Sequence, residues 1–245
     1  MKKLIFFGLA ILTGMAAFGQ SKERELQPFS KIVVSPKIKL VIIKGDRESI
    51  RVTASNIDAS QLNIEVTGQK LHIYLDEARY IEKRHRMKED GYSWKKSMYR
   101  DASVTAYVTY RDLKGIEMRG EETLVCQDTL HSKKFKLITY GRTEARFAAI
   151  KTSKFKAVMY GENSLKIESG VTGHQKYTLY GENIVETRGL DSKTAATTIY
   201  GEGRVAMHVS DEVRLNAFGE PVVSVEGSAH LSKGLVVGRV GIHME

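Results

Sequence analysis

The chain has 245 residues, enough for one long domain or two short ones with a sizeable core. It is 42% hydrophobic and 27% charged, which excludes a disordered or collagen-like chain. A single cysteine, Cys126, excludes an internal disulfide framework, a CxxC redox pair and a cysteine-based zinc cluster, while the formal charge of +9 points to an anionic partner rather than to a fold.

The chain opens on the basic stretch Met1-Lys2-Lys3, runs apolar from Leu4 to Phe18, and carries the small residues of a cleavage site at Ala17 and Gly19. That three-part layout predicts a secretory signal peptide over residues 1–19. The apolar run falls short of the roughly 20 residues that a spanning helix needs. No later stretch is long and apolar enough to replace it, so no transmembrane segment is expected after cleavage. Loss of Lys2 and Lys3 lowers the net charge to +7. Residues 20–28 read as a linker, and 29–245 as a single domain.

From Phe29 onward, short runs alternate apolar and polar residues: Ile38-Leu40-Ile42, Ile50-Val52-Ala54, Leu62-Ile64-Val66 and Leu71-Ile73-Leu75. Turn signals such as Gly45-Asp46 and Gly68-Gln69 bound most of them. Alternation with a period of two predicts half-buried strands, and no long window shows a helical period. Residues 76–101 break the pattern with a charged insertion. It holds eight basic residues from Arg79 to Arg100, the only tryptophan, Trp94, and Tyr80, Tyr92 and Tyr99. Alternation resumes at Val104-Ala106-Val108.

A repeat follows. Glycine recurs after an aromatic residue at Tyr140-Gly141, Tyr160-Gly161, Tyr180-Gly181, Tyr200-Gly201 and Phe218-Gly219, with Arg119-Gly120 upstream. Registered on that glycine, the positions two before, four before, four after and six after form columns that are almost wholly apolar or threonine. The column two before, for example, runs Met118, Thr139, Met159, Leu179, Ile199, Ala217. A unit of about 20 residues cannot bury its own apolar face, but stacked units share a continuous core. The pattern therefore predicts an all-β parallel β-helix, a solenoid with turns of about 20 residues. Glycine suits the bend and proline, which deletes a ladder donor, is scarce. An antiparallel sandwich is the alternative, but it gives no reason for a 20-residue register. If the N-terminal strands continue the stack, the solenoid has roughly ten turns at one strand spacing each.

An export signal, a strand-rich opening and these glycine-punctuated repeats resemble the head GIN domain of bacterial auto-transporter adhesins. That family usually has Gly-Ser-Gly at the corner. Here the triplets read Tyr140-Gly141-Arg142, Tyr160-Gly161-Glu162, Tyr180-Gly181-Glu182, Tyr200-Gly201-Glu202 and Phe218-Gly219-Glu220. The resemblance spans roughly Phe29 to Ile242 and implies a right-handed single-stranded β-helix. It transfers no enzymatic residues. Tyrosine and glutamate in place of serine imply a different surface chemistry.

Three surfaces are candidates for function. Tyr140, Tyr160, Tyr180, Tyr200 and Phe218 have the parity opposite to the core columns, so they form an outward ladder. Such a ladder braces the sheet, or offers a flat strip that stacks on sugar rings or on another protein. Arg142, Glu162, Glu182, Glu202 and Glu220 form a second outward row, which splays into solvent or shares a hard cation with help from Asn163 and Asn183. Lys83, Arg84, Arg86, Trp94, Lys95 and Lys96 make the insertion a basic, aromatic loop suited to an anionic polymer. Cys126 shares an inward column and reads as a buried, inert thiol.

The seven histidines have no metal-ligand spacing, and neither a nucleophile elbow nor a phosphate-cradling loop occurs. No cofactor, metal or catalytic residue is expected. The sequence thus predicts an exported, non-catalytic solenoid of the periplasm or cell surface. Its partner would be a glycan, a cell-envelope polymer or a protein, with self-association end to end or face to face; export argues against nucleic acid as a partner. The alternative is a polysaccharide lyase or hydrolase that uses Glu162, Glu182 and Glu202.

Overall fold

The computed structural model describes residues 23–82, 84–89 and 92–245. The expected signal peptide and Lys83 of the insertion lie outside the described residues.

Each coil consists of a leading arm that runs into a corner glycine and a trailing arm that leaves it. Gly115–Gly120 pairs in parallel with the end of Thr123–Gly141, which pairs in turn with the end of Glu144–Gly161. The stack continues through Gly170–Tyr180, Asn183–Tyr200, Gly203–Gly219 and His230–Gly238, always parallel. The trailing arms stack the same way. About six coils of near-20-residue length result.

The four sequence columns face inward without exception. All their members, from Ile116 and Met118 to Val223 and Val225, are at most 2% exposed. Buried aromatic side chains help to fill the interior: Phe135 stacks on Phe155 at 6.2 Å, and Phe155 meets Tyr177 edge-on. Where Tyr177 and Thr187 bring hydroxyls inside, a buried polar cluster satisfies them. The Tyr177 hydroxyl donates to Gln175 Oε1 at 2.6 Å, Gln175 Nε2 donates to Ser192 Oγ at 2.7 Å, and Ser192 Oγ donates to the His208 carbonyl at 2.9 Å. Buried hydroxyls without such partners would destabilise the core by about 1–3 kcal/mol each.

The N-terminal part does not supply the four further regular turns expected from its alternation. Lys31–Val34 and Ile38–Lys44 form one rung below Gly115. Lys70–Leu75 and Ser103–Tyr110 form the next, with the insertion between them. Ser49–Ser55 and Leu62–Thr67 then close the stack in antiparallel fashion. Alternation is the same for parallel and antiparallel strands, so the sequence pattern could not separate a coil from a cap. At the other end, Leu235, Val236 and Val237 of the last leading arm are exposed. The insertion carries a hairpin of its own, Arg84–Glu89 with Tyr92–Ser97, separate from the solenoid sheet.

Candidate functional site

The corner builds the candidate edge. Gly120, Gly141, Gly161, Gly181, Gly201 and Gly219 all have φ between +93° and +133°. Their hydrogen also faces the rung below: a Cβ on Gly161 would sit 2.2 Å from the carbonyl oxygen of Gly141. Backbone angle and close approach each demand glycine on their own. The residues on either side of this sharp bend then point away from the core, one on each arm.

On the leading arm they are the aromatic residues. Tyr140, Tyr160, Tyr180, Tyr200 and Phe218 stack in one column, with ring centroids 5.0, 4.7, 4.9 and 4.7 Å apart and planes within 6° of parallel. Each contact stabilises the sheet by about 0.2–1 kcal/mol. Because the inner rings cover one another's faces, no open face remains along the strip for a sugar ring. What the strip offers a partner is ring edges and phenol hydroxyls; Tyr160 and Tyr200 are 37% and 38% exposed. The Arg119 guanidinium extends the column, 4.6 Å from the Tyr140 ring and 5.2 Å from that of Tyr80, and it is held by Glu117. Tyr80 belongs to the insertion, so two surfaces that look separate in the sequence meet here.

On the trailing arm are the charges. Arg142 donates to Glu162 at 3.0 and 2.8 Å and closes one end of the row. Glu162, Glu182, Glu202 and Glu220 line a surface groove of about 540 Å³, with Ile184 and Arg204 on its wall. Asn163 and Asn183 do not join them as ligands, contrary to the cation-sharing arrangement. Both are turned inward and buried, forming an amide ladder. The Thr143 N–H donates to Asn163 Oδ1 at 3.0 Å, and Asn163 N–H and Nδ2 donate to Asn183 Oδ1 at 3.2 and 3.0 Å. The Nδ2 groups of both asparagines also donate to the carbonyls of Tyr160 and Tyr180. Among the described residues, no group of three or more acidic, histidine or cysteine side chains is placed to hold a metal ion.

In the basic insertion, Arg84 and Arg86 lie on one strand of the hairpin, and Trp94, Lys95 and Lys96 on the other. Its base is tied down: Glu82 accepts from the Tyr99 N–H at 2.8 Å, and the buried Tyr99 donates its hydroxyl to the Asp76 carbonyl at 3.0 Å. Cys126 is 1% exposed, and burial pushes its thiol up to about 12, so it is no nucleophile at neutral pH.

One surface escaped the sequence reading. Lys136, Lys156 and Lys176 are direct partners on successive leading arms, on the same outward face as the aromatic ladder. Their signal is a column four residues before the aromatic one, invisible as a charge run because its members stand 20 residues apart.

A family model described as "Putative auto-transporter adhesin, head GIN domain" matches residues 28–229. No curated protein sequence matches the chain. Among solved structures, a putative adhesin from Bacteroides fragilis superposes with a TM-score of 0.76 at 13% identity, covering 91% of this chain and 95% of that one. A putative adhesin from Parabacteroides merdae gives 0.63 at 14% identity over 91% and 95%. A putative lipid binding protein from Parabacteroides distasonis gives 0.66 at 13% identity over 93% and 98%. At such identities the likeness concerns the fold alone.

Proposed function

This chain belongs to the auto-transporter adhesin head GIN domain family, and from that membership we propose that it is an exported, non-catalytic, adhesin-like protein that holds a glycan or protein partner along its corner edge. The leader-like residues 1–19 support export to the periplasm or cell surface. The observation that carries the binding reading is the edge itself. Tyrosine hydroxyls repeat in register over four rungs beside a groove lined by four glutamates. A polymer laid along the solenoid axis meets the same donor and acceptor set at every rung. Many equivalent weak contacts then add up along its length. The groove is open and acidic, which favours ligands rich in hydroxyl, amide or ammonium donors.

The enzyme reading finds little support in the same groove. Glu162 is tied to Arg142, and the remaining carboxylates line an open surface depression. Water exclusion, which strengthens electrostatic catalysis, is absent from such a site. A glycan array probed with the purified protein tests the proposal. Binding to a set of extended glycans is expected, weakened at least tenfold in Glu182→Gln/Glu202→Gln, with no new reducing or unsaturated ends. Release of such ends would overturn the non-catalytic reading, and array binding that the double variant leaves unchanged would remove the groove from it.

A further inference from the structure

The lysine column is longer than three residues. Reading the leading arms by register from the N-terminal cap, the position runs Lys70, Lys31, Gly115, Lys136, Lys156, Lys176, Ala196 and Arg214. These are consecutive, directly paired strands, so the column climbs by about 4.8 Å per rung. Two residues earlier on the same face, Lys134, Lys154 and His174 form a parallel column. Lys31, Lys70, Lys134, Lys136, Lys154, Lys176 and Arg214 are exposed, and Lys156 is half-buried.

Among the described residues, no carboxylate makes an ion pair with any of these cations. Elsewhere on the solenoid Arg142, Arg146, Lys166 and Arg188 each have one; Lys39, Lys151 and Lys193 have none among the described residues, but they do not stack into a column. Burial, together with the flanking ammonium groups of Lys136 and Lys176, holds the Lys156 ammonium below the usual lysine range. Between Lys31 and Lys136 the column is interrupted by a depression of about 160 Å³, where Gly115 leaves out a side chain and Lys31, Lys70, Lys114 and Lys136 gather around the gap. Its one carboxylate, Glu117, is already engaged by Arg119.

We propose that this face is a binding site for a linear polyanion, an acidic polysaccharide lying parallel to the solenoid axis with one anionic group in the Gly115 depression. Like charges stacked at strand spacing repel one another, and a bound polyanion relieves that repulsion along the whole column. A row of single cations at regular intervals suits a chain that carries one carboxylate or sulfate per sugar unit. Single-stranded nucleic acid is instead held by cations interleaved with open aromatic faces, and the aromatic faces on this arm are spent on one another. An anionic bilayer would call for exposed apolar side chains beside the cations, yet the column between the lysines and the tyrosines holds the half-buried Ile138, then Val158 at 9% exposure, then Thr178 and Thr198. The inference is independent of the corner-edge proposal, because none of its tyrosines or glutamates takes part.

The test compares titrations of polygalacturonate and heparin into the full chain, with neutral dextran, single-stranded DNA and anionic phospholipid vesicles alongside. Lys136→Gln/Lys156→Gln/Lys176→Gln is expected to lose at least tenfold in affinity for the acidic glycans. The slope of log affinity against log salt should shrink by about 3, one released counterion per lysine removed. Lys136→Arg/Lys156→Arg/Lys176→Arg should retain binding, which separates charge from folding. Lys39→Gln/Lys151→Gln/Lys193→Gln removes the same charge elsewhere and should change affinity less than twofold. Equal losses in the two glutamine triples, or a greater loss in Lys95→Gln/Lys96→Gln of the insertion hairpin, would overturn the site. Tighter binding of DNA or vesicles than of acidic glycan would overturn the ligand class. Glu182→Gln/Glu202→Gln leaves polyanion affinity undiminished if the two surfaces act separately.

Discussion

Gly161→Ala is expected to destabilise the protein by about 3 kcal/mol or more, read as a drop in the denaturant midpoint. An L-residue held at φ +107° carries a penalty of roughly 1–2 kcal/mol. The added methyl also meets the Gly141 carbonyl oxygen at 2.2 Å, and that oxygen cannot retreat because it accepts the Glu162 N–H at 2.8 Å. Relief requires the corner to open, which misaligns Tyr160 between Tyr140 and Tyr180. A useful contrast is Gly68→Ala in the N-terminal turn, where φ is +52° and a Cβ meets nothing within 4 Å. Only the backbone penalty remains there, so its loss should be about 1 kcal/mol. Similar losses at the two glycines would mean that the close approach of rungs contributes nothing.

The second large effect belongs to the amide ladder. Asn183→Ala is expected to cost about 2–4 kcal/mol, although alanine is a good size for a tight bend. The side chain of Asn183 accepts from Asn163 N–H and Nδ2 and donates to the Tyr180 carbonyl. Its removal leaves the buried Asn163 N–H unpaired, at about 1–3 kcal/mol before relaxation or water entry, and takes one of two acceptors from Asn163 Nδ2 and one donor from the Tyr180 carbonyl. Asn183→Asp keeps the acceptor but loses the donor, so it should fall between the two. Thermal unfolding of the three proteins orders them wild type, aspartate, alanine. An alanine variant as stable as wild type would show that the ladder is ornamental.

The same residues explain how far the fold was legible in the sequence. Columns two and four before the glycine, and four and six after it, follow from periodicity alone, and every member is buried. Packing demands apolar character at each of those positions in every coil, so the signal is repeated six times and stands above local noise. Asn163 and Asn183 sit two after the glycine, on the inward parity, yet in the sequence they read as companions of the outward glutamates beside them. Their polarity masked a position that alternation alone assigns to the interior. Gln175 and Ser192 were missed for a related cause: a buried polar cluster satisfies itself across coils, and its partners are 17 residues apart in the chain. The antiparallel cap was hidden because strand alternation carries no information on direction.

Surface function was less legible, for a physical reason. The aromatic and acidic rows lie next to the corner glycine, so the same register that reveals the core reveals them. Whether a row braces or binds depends on which faces remain open. Ring spacings near 4.8 Å with parallel planes decide that for the tyrosines, and no sequence prints them. Basic residues stand out in the insertion, where they are adjacent in sequence. Lys70, Lys31, Lys136, Lys156 and Lys176 are adjacent only across rungs, and two of them come from the irregular N-terminal part.

If the corner edge is a ligand surface as well as a brace, Tyr160→Phe/Tyr180→Phe separates the two roles. The rings stay, so the stack and the melting temperature should hold to within about 2 °C. The hydroxyls go, so affinity for the glycans bound by the wild type should fall at least tenfold. Unchanged affinity at unchanged stability would leave the ladder as a brace alone and remove its hydroxyls from binding.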